Sequence, residues 1–428
     1  MRTAGATHEA IDAVWRIESA KIVAGLARIV HDIGLAEELA QDALLAALEK
    51  WPVAGVPDNP GAWLMAAGKY RALDALRRRK LLERKHAEYG HELVAQEAHV
   101  AIDSHDALDD DVGDDLLRLV FTACHPVLSP AARVALTLRL LCGLTTPEIA
   151  RAFLVPEPTI GQRIVRAKRT LSEARVPFEV PRAAELPTRL ASVLEVIYLV
   201  FNEGYAATAG DDWMRPALCD EALRLGRVLA GLMSAEPEVH GLVALMEIQA
   251  SRTAARTDAQ GAPILLLAQN RARWDQLLIR RGLAALARAQ ALDGAVGPYA
   301  LQGAIAACHA RARTAEATDW PRIVALYDAL AQLTPSPVVE LNRAVAVSMA
   351  FGPAAALEMV DALVGANALP GYHFLPAVRG DLLARLGRAA EAREAFEAAA
   401  ALTRNARERA LLRERAAEAN QQVSCAKS

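Results

Sequence analysis

Residues 128–174 read LSPAARVALTLRLLCGLTTPEIARAFLVPEPTIGQRIVRAKRTLSEA, and the punctuation inside this stretch decides the fold. Thr145-Thr146-Pro147-Glu148 has the form of a capping box, with a proline early in the first helical turn where its missing N–H costs little. A short helix carrying Ile149, Ala150 and Phe153 follows. It breaks at Leu154-Val155-Pro156, because the residue before a proline is pushed out of helical geometry. A second helix is predicted from about Pro158-Thr159, with Ile160, Ile164, Ala167 and Leu171 forming one apolar stripe. Gln162, Arg163, Arg166, Lys168 and Arg169 lie largely off that stripe. Just upstream, Val134, Leu136, Leu138 and Leu140 alternate as in a strand, but Ala131, Ala132 and Ala135 among them favour helix, and helix is expected. The pattern is a helix-turn-helix. Its second helix has the build of a DNA-reading element, packing one face while glutamine and arginine reach base edges and further basic residues hold phosphate. Gly161 costs about 1 kcal/mol in a helix interior relative to alanine, and would permit close approach to DNA.

The surrounding chain is helical in character. Of its 428 residues, 53% are apolar and only 5% aromatic, with alanine and leucine dominant, so an all-α fold is expected. Ile22, Val23, Leu26, Ile29, Val30 and Ile33 fall at helical spacing along one face. A charged content of 23% excludes wholesale disorder, and the length suggests two to four domains. Five cysteines (Cys124, Cys142, Cys219, Cys308 and Cys425) form no C-x-x-C pair, which offers no zinc ribbon or disulfide framework and suits a reducing cytoplasm. Glu9, Asp12, Arg16 and Glu18 interrupt the N-terminal stretch, so no signal peptide is expected, and no run of eighteen apolar residues suggests a membrane span.

A net charge of −3 hides strong segregation. Eight lysines and arginines lie between Lys69 and Lys85, and a second basic run extends from Arg163 to Arg175. Between His91 and Asp115 there are nine acidic residues and no basic one. Basic runs on helices are footprints for phosphate backbones. The acidic stretch reads as a flexible linker, and Pro177, Pro181 and Pro187 mark a second break. The expected organisation is a helical block at 1–90, a linker at 91–115, the helix-turn-helix block at 116–175, a proline-containing linker at 176–187 and a helical extension at 188–428.

In the first block, ESAKIVAGLARIVHDIG is followed by LAEELAQDALLAALEKWP, a Pro/Gly turn VAGVPDNPGA, and WLMAAGKYRALDALRRRK. This order resembles region 2 of the sigma-70 family, in its extracytoplasmic-function (ECF) branch, and the helix-turn-helix block resembles region 4. The resemblance covers about the first 175 residues. It implies a protein that binds core RNA polymerase and promoter DNA, initiates transcription, and uses no cofactor. Glu37, Glu38, Gln41 and Asp42 form one polar patch at helical spacing, where the family binds the polymerase clamp, while Leu35, Leu39 and Leu48 are expected to pack inward. Trp63, Lys69, Tyr70, Arg71, Asp74, Arg77 and Arg78 fall where the family grips the promoter −10 element. Pro158, Thr159, Gln162, Arg163, Arg166, Lys168 and Arg169 fall where it reads the −35 element. Lys69-Tyr70 replaces an asparagine usual in the family, which leaves the −10 preference open.

The remaining chain exceeds what such a factor needs. RGDLLARLGRAAEAREAFEAAAALTRN fits a tetratricopeptide pattern, with Gly380, Leu383, Gly387, Ala392, Phe396 and Ala399 at its small and large positions. Weaker copies run through Ala344, Ala356, Val360 and Leu363, and end in Tyr327, Leu330 and Pro335. The segments EVIYLVFNEGYAATAGDDWMRPALCDEALRLGRVLAGL and GAPILLLAQNRARWDQ resemble an ECF group with long C-terminal extensions, encoded beside small DGPF-motif proteins. That resemblance implies control of activity in cis, through contact of the extension with regions 2 and 4. Phe201-Asn202-Glu203-Gly204-Tyr205 is its most distinctive string and has no chemical explanation from sequence.

An enzyme reading would draw on Glu203, Asp211, Asp212 and His240 as a carboxylate site, or on the adjacent Cys124-His125. No nucleophile elbow, P-loop, dinucleotide fingerprint or metal-spaced histidine pair accompanies them, so neither catalytic nor metal-binding residues are expected. The remaining alternative is a helix-turn-helix regulator with a ligand-sensing helical domain that never joins polymerase.

Overall fold

The structure is a computed structural model and describes residues 2–88, 108–292 and 296–425. Among these residues it is all-α, with eighteen helices and a single pair of two-residue strands. The chain divides into two compact units, Met1–Ile197 and Tyr198–Ser428.

The first unit opens with three helices, α1 (Arg2–Val30), α2 (Ile33–Ala54) and α3 (Pro60–Glu88), which pack on one another. The apolar face read from sequence is their core: Ile22, Val23, Leu26, Val30 and Ile33 are buried, and Ile29 is half-buried. Asp32 caps α2, its carboxylate accepting the Leu35 N–H at 3.0 Å. Leu39 is buried, whereas Leu35 and Leu48 are only half so.

Four helices follow: α4 (Leu108–Ala123), α5 (Pro130–Leu140), α6 (Thr146–Phe153) and α7 (Glu157–Glu173). The helical reading of 131–140 holds. The capping box also forms, with Thr145 Oγ1 accepting the Glu148 N–H at 3.4 Å and Glu148 accepting the Thr145 N–H at 2.8 Å. Leu154 ends α6 in the left-handed region at φ 50°, which turns the chain sharply into α7. Ile160, Ile164, Ala167 and Leu171 form the buried stripe of α7 as expected.

Two boundaries differ from the sequence reading. The acidic linker was expected over 91–115; its residues 91–107 lie outside the described residues, but from Leu108 onward the chain is helical. The reason is visible at Asp115, which is buried and paired with Arg118 at 2.7 Å and Arg28 at 3.0 Å while Leu117, Leu119, Val120 and Phe121 bury the same helix. The second difference is the extension's start at 188. The next helix, α8 (Leu186–Tyr205), packs its first half on α4 and α5 through Arg189, Ser192 and Glu195, so the first unit continues to Ile197.

The second unit is a run of helices that pack successively: α9 (Pro216–Leu232), α10 (Pro237–Ala250), α11 (Gln276–Ala291), α12 (Pro298–Arg311), α13 (Trp320–Leu333), α14 (Pro337–Phe351), α15 (Pro353–Gly365), α16 (Phe374–Arg385), α17 (Ala389–Leu402) and α18 (Ala406–Cys425). Its larger core is built from α12 to α18 and includes Ala344, Ala356, Val360, Leu383, Ala392, Phe396 and Ala399. A Cβ at Gly380 would meet the Phe396 ring at 2.8 Å, so the small residue lets α16 lie close on α17. The strands β1 (Ala209–Gly210) and β2 (Arg404–Asn405) pair in parallel, and Asn405 donates to the carbonyls of Ala207 and Asp212 at 3.1 and 2.8 Å.

Candidate nucleic-acid interface

The exposed side of α7 carries most of the proposed −35 residues. Pro158, Thr159, Gln162, Arg166 and Arg169 are exposed and Arg163 is half-buried. Thr159, Gln162, Arg163 and Arg166 line an open groove of about 350 Å³ together with Val127 and Ser129. Two guanidiniums and one amide in the N-terminal half of a helix whose other face is buried form the arrangement that base edges and phosphates require. Arg169 is held by Glu173 at 2.6 Å, one turn further along. Lys168 does not share this face. Its ammonium pairs with Glu37 of α2.

Glu37 is the residue whose surroundings sequence could not show. It is 5% exposed and accepts from Gln41 Nε2 at 2.7 Å and Arg139 Nε at 2.6 Å, besides its pairing with Lys168. The expected polar patch therefore divides: Glu38 and Asp42 are exposed, Gln41 is half-buried, and Glu37 is enclosed by cations of α5 and α7. Removing one partner of such a buried cluster typically destabilises by about 3–5 kcal/mol, because the remaining charges are left unmatched. Arg16 of α1 adds a more exposed link to Glu148 of α6 at 3.1 Å. Sequence gives neither Arg16 nor Arg139 a partner. Arg139, a lone charge inside an apolar run, was the available signal.

The candidate −10 residues lie along α3. Trp63 is half-buried and meets Trp51 edge-to-face, ring centroids 5.4 Å apart, with Lys50 over its ring at 6.0 Å. Tyr70 is 74% exposed, Arg77 and Arg78 are exposed, and Lys69 and Arg71 are half-buried. Asp74 is exposed and pairs with Arg77 at 3.5 Å. The arrangement is an aromatic ring and a basic stripe on one accessible helix, suited to stacking on unpaired bases and neutralising phosphate.

The residues weighed for catalysis have other occupations. Cys124 is buried against Thr137 at 3.4 Å, and burial pushes its thiol up to about 11, the opposite of thiolate activation. Burial and nearby Arg189 take the His125 imidazole down to about 4, and its Nδ1 accepts the Val127 N–H at 3.1 Å. Glu203 is tied to Arg215 and to Thr208 at 2.9 Å, while His240 Nε2 contacts the Ser234 carbonyl at 3.0 Å. Asp211 and Asp212 are exposed. Among the described residues no group of three or more His, Cys, Asp or Glu is placed to hold a metal, and no helix is long and apolar enough to cross a membrane.

The family model for sigma-70 region 2 matches residues 18–81, and that for sigma-70 region 4 matches 118–171. Residues 189–290 match a family of unknown function, DUF6596. An uncharacterized protein of Rhizobium meliloti (strain 1021), R00370, is 46% identical over 389 residues, covering 91% of this chain and 90% of that protein. The probable ECF RNA polymerase sigma factor SigI of Mycobacterium tuberculosis is 29% identical over 176 residues, 41% of this chain and 59% of that protein. The ECF RNA polymerase sigma factor SigK of Mycobacterium ulcerans is 30% identical over 150 residues, 34% of this chain and 75% of that protein. No solved structure matches the chain.

Proposed function

This chain belongs to the ECF sigma factors of the sigma-70 family, and from that premise we propose how its residues divide the work. As an RNA polymerase sigma factor it joins core polymerase and takes it to promoter DNA. Region 2 supplies the polymerase contact through Glu37, Glu38, Gln41 and Asp42, and the −10 contact through Trp63, Lys69, Tyr70, Arg71, Asp74, Arg77 and Arg78. Region 4 reads the −35 element through Pro158, Thr159, Gln162, Arg163, Arg166 and Arg169, joined by Lys168 once its ammonium leaves Glu37. The observation that carries this reading is the groove beside α7, where Thr159, Gln162, Arg163 and Arg166 converge on an accessible face above a buried apolar stripe.

The state described is closed within the first unit. Glu37 is held by Arg139 and Lys168, so polymerase reaches it only after α7 has moved away. The tetratricopeptide-like second unit controls activity in cis, and a small DGPF-motif protein is a candidate partner. The close fit of Gly380 on Phe396 supports the repeat reading, since small residues at such positions let paired helices approach.

In vitro transcription with core polymerase and genomic templates tests the assignment by mapping start sites. Defined start sites that depend on this protein are expected. Reversing Asp42 to Arg is expected to lower recovery of core polymerase in a pull-down. A protein that retains promoter DNA but never co-purifies with core polymerase would instead be a regulator acting outside the holoenzyme.

A further inference from the structure

The second unit contains a cavity of about 200 Å³, lined by none of the residues of the candidate nucleic-acid interface. Helix α10 lends it Leu245, Ile248 and Gln249, and α12 lends Gln302, Ile305 and His309. Three aromatic side chains, Tyr198, Trp274 and Tyr327, also line it, together with Ala306 and Asn342. Arg252 is the cation among its described lining residues, and none of these is a carboxylate.

Three buried polar atoms on this lining have no hydrogen-bond partner among the described residues: Arg252 Nε, Trp274 Nε1 and His309 Nδ1. Trp274 is 3% exposed, so water outside the cavity does not reach its ring N–H freely. Buried polar groups are paired in the great majority of proteins, and three unpaired ones on side chains that line one cavity mark the place where a polar partner is missing. The cations near His309 are Arg252 and Arg271, and burial with these two holds its imidazole down to about 4, hence neutral. A site with a guanidinium, an indole N–H and no carboxylate favours an anion.

The distinctive string at 201–205 builds the support for this site. Asn202 hydrogen-bonds Tyr198, and Tyr198 in turn donates to Gln302 Oε1 at 3.3 Å. Tyr205 accepts from Arg252 through its hydroxyl and from Arg256 through its carbonyl, while Arg256 stacks on its ring at 3.5 Å. Arg252 also donates to Gln249. Glu203 fixes the following turn through Arg215 and Thr208. A Cβ at Gly204 would meet the Cys219 backbone nitrogen at 2.6 Å, so only glycine lets α8 and α9 approach this closely. These residues thus orient an arginine whose Nε remains unpartnered at the cavity.

We propose that the cavity binds a small aromatic oxyanion, a planar ring bearing one carboxylate or phosphate head, with the head at Arg252 and His309 and the ring among Trp274, Tyr198 and Tyr327. The volume lies below that of drug-sized pockets and suits a single-ring metabolite. The site lies wholly within 198–428, and its test needs neither polymerase nor DNA, so its failure is distinct from failure of the sigma-factor reading.

Isothermal titration calorimetry on the full-length protein with benzoate, phenyl phosphate and neutral benzamide tests this. At least one anion is expected to bind, with benzamide at least tenfold weaker; the tighter anion identifies the head group. Arg252→Gln is expected to weaken binding at least tenfold. Because that change also removes bonds to Tyr205 and Gln249, Ala306→Leu serves as a second variant, filling the cavity while leaving the guanidinium in place. It is expected to abolish binding without lowering the melting temperature. The proposal is overturned if neither anion binds, if benzamide binds as tightly as benzoate, or if Ala306→Leu binds like the wild type.

Discussion

Arg163 and His309 show how the same two variables, burial and neighbouring charge, fit side chains to opposite tasks. Arg163 stands half-buried on α7, lining the groove. Arg163→Ala is expected to weaken −35 recognition by about 1–3 kcal/mol, read as a loss of affinity for a mapped promoter duplex but not for a −10-only fragment. His309 is enclosed instead, with Trp320 edge-on at 5.2 Å, and its imidazole stays neutral down to about 4. Between pH 6.5 and 4 the unfolded chain takes up a proton that the folded chain refuses. Stability from this residue is therefore full above pH 6.5 and declines as pH falls, by about 3 kcal/mol in all. His309→Gln is expected to flatten the acid limb of the melting-temperature profile; an unchanged slope would show that other groups set it.

At the scale of elements, α8 is the one that matters most for experiments. Its Ser192 donates to the Cys124 carbonyl at 2.6 Å, and buried Arg133 donates to Ser192 and, at 2.9 Å, to Glu195. A chain ended at residue 188 loses both partners of Arg133 together with the buried face of α8 (Leu190, Val193, Leu194), and is expected to melt at a lower temperature. A chain ended at Tyr205 keeps these bonds, and thermal unfolding of the two truncations separates the cases. Sequence marked α6 and α7 well because their signals are local: a capping box, a proline after each turn, an apolar stripe of period 3.6. It reads 108–115 as linker and begins the extension at 188, because the cues there are an acidic run and three prolines. The cue for helix there is tertiary, since Asp115 is buried only because Arg28 and Arg118 reach it. The surroundings of Glu37 were illegible for the same reason, because Arg139 lies 102 residues away in sequence. The string at 201–205 was conspicuous without being readable, since Arg252 and Arg256, which give it meaning, come 47 and 51 residues later than Tyr205.

For the protein as a whole, the Glu37–Lys168 pairing has a consequence for how the two macromolecular ligands affect one another. On the proposed assignments, DNA competes for the ammonium and polymerase competes for the carboxylate, and either one dissolves the same internal bond. Whichever arrives first spares the second that work, so each must tighten the other by an equal factor, as a closed thermodynamic cycle demands. Affinity for core enzyme measured with and without a saturating −35 duplex should differ by the factor by which core enzyme alters affinity for that duplex. Glu37→Gln, which weakens the internal bond beforehand, should shrink that factor, and two affinities indifferent to each other in the wild type would mean the pairing carries no message between the two ends of the factor.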